Sequence, residues 1–171
     1  NGTVAHTPEA PTYYCDETVT LTATPDIGWM FDVWNGDLSG TNPEESLVLD
    51  QSRTVEAVFV PDDRPLEITD IVADPSDRNV LITWTTNKPA TSRVDYGTTD
   101  SYELGDVQAG DYVTSHSLLI TGLSPLTEYH FQVTSVDGLG NSLSSADQTF
   151  TTLVSGGFIS DDFNTFNLDP S

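Results

Sequence analysis

The chain has 171 residues, enough for one large domain or two small ones. Its 27 Asp and Glu against 5 Lys and Arg give a formal net charge of −22. Such a surface repels phosphate backbones and anionic lipid, which argues against nucleic acid and membrane insertion, and the apolar runs fall far short of the ~20 residues that span a bilayer.

The acidity does not indicate disorder, because Val, Ile, Leu, Tyr and Trp recur in alternating runs that disordered chains lack. The single cysteine, Cys15, excludes an internal disulfide, which fits a bacterial or archaeal exterior. Its neighbours Tyr14 and Asp16 offer nothing to stabilise a thiolate, so Cys15 reads as structural or incidental.

Asn1-Gly2-Thr3-Val4 reads as the middle of a strand, so targeting signals are expected upstream. Helical spacing is almost absent, whereas strand patterns are everywhere. Thr18-Val19-Thr20-Leu21-Thr22-Ala23 alternates polar and apolar, followed by a turn at Pro25-Asp26-Ile27-Gly28. Further turns fall at Asn35-Gly36-Asp37 and Ser39-Gly40-Thr41-Asn42-Pro43. The strand Thr54 to Val60 runs into Pro61-Asp62-Asp63-Arg64-Pro65, a short, stiff, solvated linker where we place a domain break. Beyond it, Val80-Leu81-Ile82-Thr83-Trp84-Thr85 and Tyr129 to Val136 alternate again, with turns at Tyr96-Gly97 and Asp137-Gly138-Leu139-Gly140-Asn141. The glycines of Leu153-Val154-Ser155-Gly156-Gly157 mark another junction. The reading is all-β: residues 1–60 a first module, 61–65 a linker, 66–152 a second module and 153–171 a further linker and the start of another segment.

The order Gly2-Thr3-Val4, Tyr14, Thr18 to Pro25, Gly28-Trp29-Met30-Phe31-Asp32-Val33-Trp34-Asn35-Gly36 and Thr54 to Phe59 resembles the divergent internalin-type B-repeat of bacterial surface proteins. The resemblance implies a small β-grasp-like roll used in tandem as a spacer or adhesive module. It departs from the family in the turn before the second strand, where Cys15-Asp16-Glu17 replaces the usual glycine, and in lacking a strand ahead of Gly2. Phe31, Leu21 and Phe59 can share one apolar face, and Trp34 caps that small core. Trp29 has two readings, an exposed platform for a sugar ring or a cover for the turn.

Ile82-Thr83-Trp84, Asn87-Lys88-Pro89-Ala90, Ser92-Arg93-Val94-Asp95-Tyr96-Gly97, His116 to Leu123, Pro125 to Val133 and Phe150-Thr151-Thr152 resemble a fibronectin type III domain of the kind that precedes bacterial hydrolases and purple acid phosphatases. The resemblance implies a seven-stranded β-sandwich and a connector without catalytic residues. Trp84 is its large inward residue, and Leu123 to Tyr129 reads as a tyrosine corner in which the Tyr129 hydroxyl bonds an upstream backbone group. Ser160-Asp161-Asp162-Phe163-Asn164 weakly resembles the opening strand of a laminin-G or concanavalin-like jelly roll. An alternative is that Phe158-Ile159 adds to the sheet edge of a neighbouring subunit.

Candidate chemistry is sparse. His6, His116 and His130 form no metal-binding motif, although a sheet could set His116 beside His130. No nucleophile elbow or phosphate loop occurs. Asp62, Asp63, Asp161 and Asp162 are candidate calcium ligands at the two junctions, against a reading as solvated linker charge. Trp29, Tyr13, Tyr102 and Tyr112 are candidate carbohydrate platforms. The sequence therefore reads as non-catalytic spacer or adhesive modules of a larger extracellular or cell-surface prokaryotic protein, capable of self-association, whose partners are neighbouring domains or subunits. The alternative is a pair of carbohydrate-binding accessory modules of a secreted polysaccharide-active enzyme.

Overall fold

The computed structural model describes residues 1–154 apart from Pro11, so the readings placed on Phe158, Ile159, Asp161, Asp162 and the rest of the tail lie outside the described residues. The described residues contain strands and turns but no helix.

In the first module β1 (Gly2–Thr7), β2 (Glu17–Pro25) and β4 (Glu44–Leu49) form one antiparallel sheet in the order β1-β2-β4. β3 (Trp29–Gly36) and β5 (Val55–Pro61) form a second. The turn into β2 is closed by Asp16, whose φ of 67° does what the family's glycine would do. Aspartate tolerates that left-handed region better than most residues. The core is Ala23, Phe31 and Trp34, backed by Leu21, Val55, Ala57 and Phe59. Strict alternation would send Phe31 and Trp34 to opposite faces of β3. A bulge between Phe31 and Val33 resets the register, so both rings turn inward, 5.2 Å apart. The two sheets meet where Gly2 crosses Phe59. A Cβ on Gly2 would lie 2.6 Å from that ring.

The second module begins with β6 (Ile68–Pro75) and continues through β7 (Asn79–Gly97), β8 (Gly105–Thr121), β9 (Glu128–Val136), β10 (Ser142–Ser144) and β11 (Gln148–Thr151). The two long strands each serve both layers of a sandwich. Residues 80–86 of β7 pair with β6, and residues 79–85 pair with residues 115–121 of β8. Residues 93–97 of β7 pair with β9, and 92–96 with residues 105–109 of β8. β10 and β11 together complete the second layer beside β9. Counting both halves of β7 and β8, and β10 with β11 as one broken strand, the sandwich has seven strands. Val80, Ile82, Trp84, Leu118 and Ile120 from one layer face Val94, Tyr129, Phe131, Val133 and Phe150 from the other. Fully burying each such side chain contributes ~1.5–3 kcal/mol, so the second module is well supported. The first, with far fewer buried side chains, gains from docking against it.

Candidate functional site

Among the described residues, an elaborate polar structure lies between the modules. The alternation of β7 continues unbroken through its bend, so Thr86, Lys88 and Ala90 turn inward in phase with Ile82 and Trp84. Lys88 is 3% exposed. Its Nζ donates to the carbonyls of Asp62 (3.0 Å) and Arg64 (2.6 Å) and lies 2.6 Å from the Asp137 carboxylate. An ammonium has three protons to donate, and all three find acceptors. Asp137 continues the inward series Tyr129, Phe131, Val133 and Ser135 of β9 one step past that strand's end, bridges to Ala90 and is 1% exposed. Its carboxylate also accepts from the amides of Leu139 (3.0 Å) and Asn141 (2.8 Å) and from Asn141 Nδ2 (2.9 Å). Burial pulls the Asp137 carboxyl upward, but the bonds from Lys88, Asn141 and Leu139 outweigh it and hold the pKa at about 2.

Thus a side chain of the second module grips the backbone of the linker. The linker in turn is tied to the first module, for the amide of Asp62 donates to the Gly28 carbonyl at 2.9 Å. Gly28 and Gly138 then bring the two modules into backbone contact. A Cβ on Gly138 would stand 2.4 Å from Gly28 N and 2.5 Å from Ile27 Cγ2, so only glycine fits.

The linker was expected to be solvated, and there the structure differs. Asp62 is 5% exposed, because its carboxylate takes both Nε (2.8 Å) and Nη2 (2.7 Å) of Arg64. The Arg64 bonds hold its carboxyl below the usual carboxylate range. Asp63 beside it is exposed. Among the described residues no three His, Cys, Asp or Glu side chains converge as a cation site.

The candidate carbohydrate platforms stand apart. Trp29 is half-buried on β3 and lines a cavity of about 410 Å³ at the joint together with Pro43, Asp62 and Lys88. Tyr102 lies between β7 and β8 and donates to Asp147 Oδ1 at 3.0 Å; burial and that carboxylate push its pKa up to about 12. Tyr112 is 40% exposed on β8. Tyr13 belongs to a different place, a cleft of about 590 Å³ in the first module shared with His6, Tyr14, Leu47, Asp50 and Arg53. Trp34 is 1% exposed with its Nε1 donating to the Asn42 carbonyl at 2.9 Å. Trp84 is 1% exposed with its Nε1 donating to Ser135 Oγ at 3.0 Å. The Tyr129 hydroxyl accepts from the Ser124 amide at 2.9 Å, five residues upstream.

His116 and His130 fall in different layers of the sandwich and are not neighbours, because the bend in β8 commits residues 115–121 to the layer opposite β9. His130 pairs with Asp147 at 2.8 Å, which raises its pKa. His116 lies parallel to Trp84 with ring centroids 4.8 Å apart. Its Nδ1 lies 2.7 Å from Ser92 Oγ and its Nε2 2.9 Å from Thr86 Oγ1. A serine–histidine pair at that distance can act as nucleophile and base only where a substrate can reach it. Here Ser92 is 4% and His116 1% exposed, and burial lowers the imidazole pKa, so the pair is core architecture.

Among curated proteins none matches the chain. Similar solved structures include three of note. The chicken CNTN1 FN1-FN3 domains share 15% identity and a TM-score of 0.42, over 81% of this chain and 64% of that one. The chain thus spans under two thirds of that structure's length. Two structures of the sensor domain of the anti-sigma factor RsgI4 in Pseudobacteroides cellulosolvens share 21% identity with a TM-score of 0.37 (63% of this chain, 91% of that one) and 24% identity with a TM-score of 0.35 (53% and 97%). The model of the divergent InlB B-repeat domain matches residues 1–63. The model of the purple acid phosphatase N-terminal domain matches residues 65–152, just over half of the chain, and the chain belongs to that family.

Proposed function

We propose that this chain is a rigid, non-catalytic two-module spacer of a larger extracellular or cell-surface protein, one that fixes the spacing and angle between its neighbours. The observation that carries the reading is the Lys88 ammonium, buried and fully bonded to two linker carbonyls and Asp137. Burying a charge so completely is costly unless the site is well made, and a merely permissive linker has no use for it. The backbone contact of Gly28 with Gly138 supports the same reading, since it leaves no room for the modules to slide. The acidic surface suits a soluble exterior protein, and among the described residues no helix is long and apolar enough to cross a membrane.

Spin labels test the proposal. With Cys15→Ser as background, Thr24→Cys and Ser117→Cys carry one label on each module. A single narrow distance distribution is expected. A broad distribution that Lys88→Met leaves unchanged would refute the rigid joint.

A further inference from the structure

We propose that the first module binds neutral glycan in the cleft lined by Tyr13, Tyr14, Leu21, Leu47, Asp50 and Arg53, a role independent of the spacer reading. The cleft measures about 590 Å³, of the size that takes a few sugar rings. Its composition is amphipathic in the way a sugar is. The wall of Leu21 and Leu47 and the rings of Tyr13 and Tyr14 suit the C–H faces of a pyranose, while Asp50, Arg53 and the Gln51 and Ser52 side chains suit its hydroxyls.

Two further observations point to such an occupant. Tyr14 is 84% exposed, the most exposed of the large apolar and aromatic side chains among the described residues. Tyr13 is fixed beside it. Its Oη lies 2.8 Å from His6 Nδ1 and 3.0 Å from the Pro8 carbonyl, and His6 meets the ring edge-on. An aromatic ring held in advance loses little freedom when a ligand stacks on it.

The charge argues against anionic occupants. Arg53 is matched by Asp37 (3.2 Å) and Asp50 (2.5 Å), leaving no cation to receive an anion. The net charge of −22 repels polyanions at long range. A neutral polymer fits both facts.

Affinity electrophoresis in gels containing β-glucan, glucomannan or polygalacturonate tests the proposal. Retention on a neutral polymer is expected, with none on polygalacturonate. Tyr14→Ala, an exposed substitution that leaves the fold intact, weakens retention about tenfold, the scale of one lost aromatic contact. Titration with neutral oligosaccharides then shifts the amide resonances of the cleft residues. Absence of binding to every neutral polymer and oligosaccharide overturns the proposal, as does binding unaffected by both Tyr14→Ala and Tyr13→Ala, or equal retention on the polyanion.

Discussion

Replacing Lys88 with methionine preserves most of the buried stem and removes the charge. Asp137 is then left 1% exposed with its amide donors but no cation, and the carbonyls of Asp62 and Arg64 each lose a donor. Breaking one side of a buried pair costs ~3–5 kcal/mol. An orphaned buried carbonyl costs ~1–3 kcal/mol, and that cost is partly contained in the figure for the broken pair, so the terms overlap. We expect a total loss of ~3–5 kcal/mol, a large part of the ~5–15 kcal/mol that holds a domain together. Urea denaturation at pH 7, followed by tryptophan fluorescence, measures it. In the double variant Lys88→Met/Asp137→Asn the uncompensated charge is gone, so part of the loss returns. The wild-type pair also has a pH signature. Folding holds the Asp137 carboxyl at about 2, below its unfolded value of ~3.9, so its contribution is complete above pH ~4 and is lost as pH falls toward 2. In Lys88→Met the folded carboxyl moves up toward its unfolded value, so this acid-side loss shrinks. A stability change below ~1 kcal/mol in Lys88→Met would mean that the buried ammonium is dispensable to the joint, contrary to this account.

Three other predictions follow from the same geometry. Gly138→Ala forces a methyl to within 2.4 Å of Gly28 N, so the modules must part; a broadened label distance and a stability loss of ~1–3 kcal/mol are expected. Tyr129→Phe leaves the Ser124 amide without its acceptor and lowers stability by ~1 kcal/mol, read from the urea midpoint. Burial holds the His116 pKa below its unfolded value of ~6.5, so its contribution is complete above pH ~6.5 and is lost as pH falls through the lower folded value. His130 acts oppositely, since the Asp147 bond raises its pKa and its contribution is lost as pH rises. The His116 effect is therefore measured in a His130→Ala background, where the melting temperature falls between pH 7 and pH 5.

Much of this was legible in the sequence, because a period of two states which side chains point inward. Val19, Ile82, Trp84, Tyr129, Phe131 and Val133 are read directly from alternation, and each is buried. The same rule, carried past the polar stretch Thr85-Thr86-Asn87, would have placed Lys88 inward, and carried past Val136 it would have placed Asp137 inward. Charge discouraged the extension, since lysine and aspartate are almost never fully buried unless paired, and their pairing joins positions 49 residues apart in the chain. Other features leave no periodic trace. The bulge in β3 that turns Phe31 and Trp34 to one side depends on pairing with β5. The bends that let β7 and β8 serve both layers hide the separation of His116 from His130. The linker misled for a related reason. Pro61-Asp62-Asp63-Arg64-Pro65 has the composition of a solvated hinge, but Arg64 folds back on Asp62 and Lys88 covers both carbonyls.

If Lys88 locks the joint, the two modules tumble as one body. Backbone 15N relaxation on the chain, analysed separately for residues 1–60 and 66–152, reads this out. The joint built on Lys88 predicts one shared rotational diffusion tensor for both sets of amides. Two distinct correlation times, each near that of an isolated small module, would contradict it.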